Sequence, residues 1–351
     1  MKILLVHELF MPDQVGGGEV LVYELAKGLI KKGHEVKVFT TGKPEIKQYE
    51  NIPTVRININ RYLFNFSFLK IKKLAKDYDI IQSFSYNAAF PSYLASKLGK
   101  KPVICTILGV YGKTWKKLRK LSFFWRMMEK VQLNRKFNAT VFLSPLSREI
   151  GHEIGMKMAP NFIIPSGVNL SNTHPNLKKE KFVLFVGRLS KQKGLDLLID
   201  TAVLLPEIKF VLVGEGPEKQ KLQQKATKNV SFLPPQYGDK LFNLFGKAQI
   251  FCLPSYAEGF PVVIVEAMAS GCAIVSTLDY PYHGQYVPNR CPNELATTIE
   301  KLYNNEKLLQ KYSNSNIKDS RDYTWNNFVN KTEQVYHWVL NQKTSEKEIE
   351  D

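Results

Sequence analysis

The chain has 351 residues, 44% of them hydrophobic, and carries 49 Lys and Arg against 32 Asp and Glu, a net charge of +17. That composition excludes a disordered chain, and the length calls for two cores rather than one. The four cysteines, Cys105, Cys252, Cys272 and Cys291, form no close redox or metal-binding pair and read as buried thiols in a reducing cytoplasm.

The opening MKILLVHELF has an apolar run too short for a signal peptide and predicts a buried strand running out at His7 and Glu8. His7 and His34 read as structural histidines, although His7 stands at the useful end of its strand. GEVLVYELAKGLIKKG follows as an amphipathic helix: Leu21, Leu25 and Leu29 recur at a spacing of four, and Gly33 ends it. EVKVFT, DIIQSF, KPVICTI, ATVFLS and NFIIP read as further strands. Strands alternating with helices, without hairpin signals, imply parallel pairing and an α/β layer fold. Asp77-Tyr78-Asp79 has the Asp-x-Asp form of a divalent-ion motif, but it precedes DIIQSF and so falls at the amino end of that strand, away from the ligand edge. No metal site is expected.

Residues 169–181, NLSNTHPNLKKEK, are polar and aperiodic and read as a linker. The alternation then restarts. KFVLFVG, IKFVLVG, NVSFL, QIFCLP and AIVST predict strands, with helices near 194–205, 216–226, 239–247, 262–270 and 293–303. The closing TWNNFVNKTEQVYHWVL predicts a helix over 323–341 whose apolar stripe packs back on the first domain, and 342–351 a charged, frayed tail. The domains are therefore 1–168 with the closing helix, and 182–322. No segment approaches the ~20 apolar residues of a membrane span.

Ligands of parallel α/β sheets bind at the carboxyl ends of the strands. In the second half that edge receives Arg188 and Lys193 from FVLFVGRLSKQKG, Gly214 from FVLVGEGP, and Glu258 from PSYAEGFPVVIVEAM. Two cations suit a diphosphate, and a carboxylate suits a sugar diol. The start of the helix after Gly259 offers backbone N–H groups to an anion. Each residue also has a plain reading: Arg188 and Lys193 as solvated cations, Glu266 on an exposed helix face. PVVIV has strand propensity and EAMASG helix propensity, and the residues leave that conflict open.

The segment from Pro254 to Thr277 resembles the signature of glycosyltransferase family 4, retaining enzymes of the GT-B fold. VGRLSKQKG resembles the family's Arg/Lys phosphate motif, GGGEVLVYELAKGLIKKGHEVKVFT its first loop and helix, IPSGVN the end of its first domain, and YTWNNFVNKTEQVY its closing helix. The resemblance implies two Rossmann-like, doubly wound parallel-sheet domains facing across a cleft, the first for acceptor and the second for a nucleotide-diphosphate sugar such as a UDP- or GDP-sugar. It implies a metal-independent hexosyltransferase without further cofactor. Arg188 and Lys193 would bind the diphosphate and stabilise the leaving group. Glu266 would hold the ribose hydroxyls, and Glu258 with Gly259, Phe260, Pro261 and Val262 the transferred sugar. Gly17 and Gly18 would let the first loop approach the phosphate, and the base would lie near Gly214 and Phe232 to Pro235. The acceptor hydroxyl would attack on the face the nucleoside diphosphate leaves, and the leaving phosphate would take the proton. The chain departs from the family at Leu108, where a histidine is frequent, at Ser166, where Asn is usual, and in TLDYPYHGQYVPN, which lacks the usual Gly-x-x-Glu. A phosphorylase or synthase on the same scaffold is the alternative enzyme.

Charge adds a partner. Residues 1–168 hold 27 Lys and Arg against 12 Asp and Glu, net +15, whereas 169–351 hold 22 against 20, net +2. Segment 113–136, KTWKKLRKLSFFWRMMEKVQLNRK, has nine basic residues and a single acid, Glu129. Trp115, Leu118, Leu121, Phe124 and Trp125 form its predicted apolar side, extended by Met128 and Leu133. A second basic-aromatic run, RYLFNFSFLKIKK, covers 61–73. These segments read as amphipathic basic helices, which lie in the headgroup plane of anionic membranes. The expectation is a cytoplasmic protein, peripheral on the inner face of the membrane, that glycosylates a glycan or lipid-linked acceptor. A core helix with a solvated basic face is the plain alternative. A nucleic-acid-binding protein is the other reading of +17, but no RNA-binding signature accompanies the charge and no nucleic acid is expected.

Overall fold

A computed structural model describes residues 1–13, 16–157, 160–175 and 178–350, with side chains to 342, and divides them into two units. The first comprises Met1–Gly167 and Trp325–Asp351, the second Val168–Thr324.

The first unit is built on β1 (Lys2–Val6), β2 (Glu35–Thr41), β3 (Gln48–Tyr49), β4 (Ile52–Ile57), β5 (Ile80–Phe84), β6 (Val103–Ile107), β7 (Ala139–Phe142) and β8 (Asn161–Ile163), in the order β3-β4-β2-β1-β5-β6-β7-β8. All neighbours pair in parallel except β3 and β4. Strand β7 stops earlier than ATVFLS suggests, because the Ser144 hydroxyl caps the next helix by accepting from Ser147 N–H, with Pro145 at its first turn. The helices are α1 (Gly17–Lys31), α2 (Phe68–Ala75), α3 (Ala89–Gly99), α4 (Trp115–Leu118), α5 (Ser122–Leu133) and α6 (Pro145–Glu153). Helix α3 packs against α2 and against α5. Leu4, Val6, Phe39, Ile81, Cys105, Ile107 and Phe142 fill the core from the sheet. Strand β4 escapes the sequence pattern because Pro53 and Arg56 interrupt it. Arg56 is buried, and its guanidinium is satisfied by Asp13 at 2.8 Å and by Met11 O.

The second unit has β9 (Glu180–Val186), β10 (Lys209–Val213), β11 (Val230–Leu233), β12 (Ala248–Leu253), β13 (Ala273–Ser276) and β14 (Gly284–Tyr286), all parallel, in the order β11-β10-β9-β12-β13-β14. Its helices are α7 (Leu195–Leu204), α8 (Lys219–Lys225), α9 (Gly238–Lys247), α10 (Val262–Ala269), α11 (Pro292–Tyr303) and α12 (Glu306–Ser320). Strand β9 begins at Glu180, inside the expected linker. The described residues of 169–179 are in neither helix nor strand, and Asn176 and Leu177 lie outside the described residues. Helix α8 begins three residues later than 216, because Glu218 N–H donates to Leu189 O and holds 214–218 as a loop.

The chain then returns to the first unit as α13 (Trp325–Glu350). It starts at 325 rather than 323, because Tyr323 closes the preceding turn on Ser320 O. It also continues through 342–350, expected to be a frayed tail; Gln, Lys and Glu are good helix formers and no Gly or Pro stops them. Asp351 lies outside the described residues. Helix α13 lies on α1, where Gly28 leaves the space that Val329 fills: a Cβ there would stand 2.5 Å from Val329 Cγ2. Tyr336 OH donates to the buried Gln82, and Glu333 bonds His34 Nε2 at 2.6 Å and Lys32 Nζ at 2.9 Å. Trp338 meets Phe162 edge-on at 5.6 Å.

Candidate active site

In both sheets the strand order reverses direction once, which is where parallel α/β folds open a ligand crevice. In the second unit the reversal falls between β9 and β12, which pair through Ile250 and Val183. Gly187–Gly194 leaves the carboxyl end of β9, and Pro254–Pro261 leaves that of β12. Lys193 Nζ lies 2.6 Å from Glu258 Oε1, and Ser255 Oγ donates to the same oxygen at 2.6 Å. Gln192 Nε2 donates to Ala257 O, Tyr256 N–H to Gln192 O, and Tyr280 OH to Glu258 O. Arg188 is exposed and, among the described residues, its guanidinium has no hydrogen bond or ion pair, so its fork of donors is open to an anion.

Glycines bring these segments together. Gly187 N–H donates to Val213 O and Leu189 N–H to Glu215 O, so the loops after β9 and β10 run side by side. Gly214 and Gly216 allow that approach, because a Cβ on either would collide with the backbone of Gly187 or Leu189. Gly214 N–H also donates to Leu233 O, which puts Gly214 beside the end of β11 and its half-buried Phe232. Gly194 has φ +62°, and a Cβ there would strike Pro254 O and Arg290. Arg290 stacks on Tyr256 at 3.6 Å and donates through Nη1 to Ser255 O and Thr277 Oγ1 at 2.9 and 2.8 Å.

The segment PVVIVEAM is helical. Pro261 opens α10, Val262 is its first residue, and Ile264, Val265, Ala267 and Met268 are buried, so its strand propensity yields to the parallel crossover. Phe260 packs its ring on Tyr323 at 5.9 Å. Glu266 is half-buried on this helix, and burial pushes its carboxyl up to about 7. Among the described residues nothing donates a hydrogen bond to the Glu266 carboxylate, and it makes no ion pair.

In the first unit Gly17 and Gly18 form the first turn of α1. Gly18 is needed as glycine: a Cβ would lie 2.9 Å from Leu108 Cδ1 and 3.3 Å from His7 Nε2. Asp77 and Asp79 are exposed before β5, and Asp79 accepts Lys2 N–H at 2.7 Å. The basic segments differ from their predicted form. Segment 113–136 is not one helix: Arg119 is extended and separates α4 from α5. Its apolar residues also divide. Trp115 and Trp125 stack on each other at 5.6 Å, and Leu133 is buried. Leu121, Phe123, Phe124, Met127 and Val131 are exposed, Phe123 by 78%. Glu129 is buried: it accepts the N–H groups of Tyr111 and Gly112 and the hydroxyl of Tyr86. Residues 61–66 form a 3-10 turn leading into α2, anchored by buried Phe64 and Ile71, with Tyr62, Leu63, Phe66 and Leu69 exposed.

Sequence reasoning singled out Arg188, Lys193, Glu258 and Glu266, which stand in the stretches that resemble the family's motifs. It missed Ser255, Gln192, Tyr280 and Arg290, which brace the Glu258 loop; Tyr280 stands in the stretch that departs from the pattern and Arg290 follows directly after it, so no motif marks either. It also left His7 and Glu8 unused at the reversal point of the first sheet, between β1 and β5.

Residues 15–172 match the family model Glycosyltransferase Family 4, and residues 169–319 match Glycosyl transferases group 1. The chain is 26% identical to an uncharacterised glycosyltransferase of Methanocaldococcus jannaschii over 96% of this chain and 98% of that protein. It is 25% identical to phosphatidyl-myo-inositol mannosyltransferase of Mycobacterium leprae over 93% and 94%. Among solved structures, sucrose-phosphate synthase from Thermosynechococcus elongatus superposes with a TM-score of 0.78 at 20% identity, covering 97% of this chain and 99% of that one. Anabaena HepE in complex with UDP-glucose gives 0.76 at 19%, covering 96% and 99%. The two parallel-sheet units thus have the GT-B fold. No helix among the described residues is long and apolar enough to cross a membrane.

Proposed function

Because this chain belongs to glycosyltransferase family 4, we propose that it moves a hexosyl group, with retention and without a metal ion, from a nucleotide-diphosphate sugar to a hydroxyl of a glycan or lipid-linked acceptor at an anionic membrane surface. The observation that carries this reading is the gathering of Arg188, Lys193 and Glu258 on the two loops that flank the β9/β12 reversal, with Glu266 on the helix that the second loop opens. The likeness to a solved structure in complex with UDP-glucose and to a phosphatidyl-myo-inositol mannosyltransferase supports these donor and acceptor classes.

On this reading the diphosphate lies against Arg188 and Lys193. Their charge counts most as the glycosidic bond breaks and negative charge collects on the leaving phosphate. Lys193 is shared with Glu258 before the donor arrives; a diphosphate draws the ammonium away and leaves the Glu258 carboxylate to the sugar hydroxyls. Glu266 receives the two ribose O–H groups, a pair of donors that a desolvated carboxylate lacks on its own. Phe232 and Gly214 border the base. The acceptor is held by the first unit. Exposed Leu121, Phe123, Phe124, Tyr62, Leu63 and Phe66, set among Lys116, Lys117, Arg119, Lys120, Lys70 and Lys73, suit the headgroup region of an anionic bilayer rather than a core.

A panel of UDP- and GDP-sugars, with and without chelator, tests the reaction. Nucleoside diphosphate release from at least one donor, undiminished by chelation, is the expected result. Failure of every sugar nucleotide to bind or turn over would remove the assignment, and loss of activity in chelator restored by magnesium or manganese would remove its metal-independent form.

A further inference from the structure

We infer that His7 and Glu8 form a hydroxyl-binding site in the first unit that takes the polar head of an amphiphilic alcohol of the glycolipid type. The inference rests on the reading above that the first unit holds the acceptor, and it adds the residues and the ligand's two-part character.

Both side chains sit just past β1, at the point where the first sheet reverses, and both are 3% exposed. His7 Nδ1 is 3.3 Å from Glu8 Oε2, yet among the described residues neither atom has a hydrogen bond. An unmade hydrogen bond at a buried polar atom costs about 1–3 kcal/mol, and a ligand that supplied both partners would recover it. Glu8 is otherwise fixed: its Oε1 accepts from Arg61 Nη2 at 3.0 Å and Asn87 Nδ2 at 3.3 Å. On the other side of the imidazole, Nε2 stands 3.9 Å from Glu19 Oε1 and faces the place that Gly18 keeps free of a side chain. The site therefore offers a carboxylate oxygen that accepts and a ring nitrogen that takes either role. A hydroxyl, donor and acceptor at once, matches that pair, whereas a phosphate would meet Glu8 and Glu19 as like charges.

The second part of the ligand follows from Arg61. Its guanidinium holds Glu8, while its backbone starts the 3-10 turn 61–66. That turn exposes Tyr62, Leu63 and Phe66, the last by 76%, and Asn65 bonds Asn87 at 3.1 Å. Buried hydroxyl partners and an exposed apolar surface are thus joined through two residue pairs. A sugar head on an alkyl chain uses both.

The test is NMR of the full chain labelled with 15N-histidine, with the His7 ring signals assigned by their loss in His7→Ala. Octyl β-glucoside below its micelle concentration should shift the His7 ring nitrogens, and methyl β-glucoside should require at least about tenfold more, because the octyl chain adds seven methylenes to bury. Glu8→Gln should weaken both responses, and Phe66→Ser should remove the octyl advantage alone. If His7→Ala does not fold, Glu8→Gln read at the remaining His7 signals serves instead. No shift of His7 with either glycoside, or equal shifts in wild type and Glu8→Gln, overturns the inference. UDP and GDP titrated into the same sample report on the second unit separately: a His7 response without nucleotide binding would sink the transfer reading and leave this site standing.

Discussion

At the reversal point of the second sheet the side chains reach solvent. Arg188 is exposed, and Lys193 and Glu258 retain 19% and 10% of their side-chain surface. At the reversal point of the first sheet His7 and Glu8 retain almost none, and their polar atoms are held by Arg61 and Asn87 or left unmatched. On the readings proposed above, the same topology would carry two kinds of recognition. A charged ligand is met by charges set out in advance and balanced by one ion pair until it arrives. An alcohol is met by hydrogen-bonding capacity left unfilled, which needs burial to be selective.

The largest expected effect tests the first half of that contrast. Arg188→Ala and Lys193→Ala should each lower turnover by on the order of 10²–10³ while changing donor affinity far less, since their charge is used late. Turnover near wild type in both would show that the two cations serve no leaving group. Next comes the basic surface of the first unit. Changing Lys116, Lys117, Arg119 and Lys120 to Ser removes about 1 kcal/mol of membrane attraction each. Co-sedimentation with phosphatidylserine-rich vesicles should then fall by on the order of 10²-fold or more, and wild-type binding should weaken with salt. A wild-type protein that ignores anionic vesicles and glycosylates a soluble acceptor at full rate would break this part of the comparison.

Glu266 sharpens it. Its carboxyl is raised to about 7 by burial, and a ribose diol favours the charged form, so the diol's contribution is present above that value and lost below it. UDP or GDP affinity, measured by calorimetry, should fall as pH drops from about 8 to about 6, and Glu266→Gln should bind about tenfold more weakly at the upper pH with a flat profile. Without nucleotide the sign reverses. Folding burdens a carboxylate that is free when unfolded, so Glu266→Gln should stabilise the protein above about pH 7, by on the order of 1–3 kcal/mol, and the gain should shrink towards pH 4. Equal affinity of mutant and wild type would end the ribose assignment.

The smallest effect belongs to a group with no ligand. Burial opposes the charge on Glu333, but hydrogen bonds from Lys32 and His34 hold its carboxyl below the usual range. A depressed carboxylate stabilises above its unfolded pKa and ceases to do so as pH falls through the folded one. Being partly exposed, the pair is screened, and Glu333→Gln should cost about 0.5–1 kcal/mol in urea unfolding at neutral pH and nothing in strong acid.

The contrast also explains what the sequence made legible. Arg188, Lys193, Glu258 and Glu266 stand in two short stretches with glycine and proline at fixed offsets, because the chain must turn sharply to present them. Glu8, Arg61 and Asn87 come from three segments, with Glu8 and Asn87 79 positions apart, and no local pattern records that they meet. The strands were readable where apolar runs are unbroken and lost where Arg56 is buried within β4. In segment 113–136 the apolar periodicity suggested one continuous helix. The buried Glu129 holds the amides of Tyr111 and Gly112, fixing α5 to the loop after β6, and the backbone breaks at Arg119. The conflict within PVVIVEAM was settled only by tertiary context, since a parallel neighbour for β12 requires a crossover between them.

Helix α13 has a consequence for how the molecule comes into being. The first unit is assembled from Met1–Gly167 and from a helix starting at Trp325, so a growing polypeptide presents its amino-terminal sheet long before the piece that completes it. All of the second unit leaves the ribosome in between and has every one of its own strands, β9 to β14, available at once. Until α13 emerges, the face of α1 around Gly28 stays uncovered, Gln82 lacks its Tyr336 partner, and Gly167 waits for the backbone of Trp325. The unit synthesised first is thus the one finished last, and a nascent chain stalled short of residue 325 would display an open apolar groove to chaperones rather than a free-standing domain.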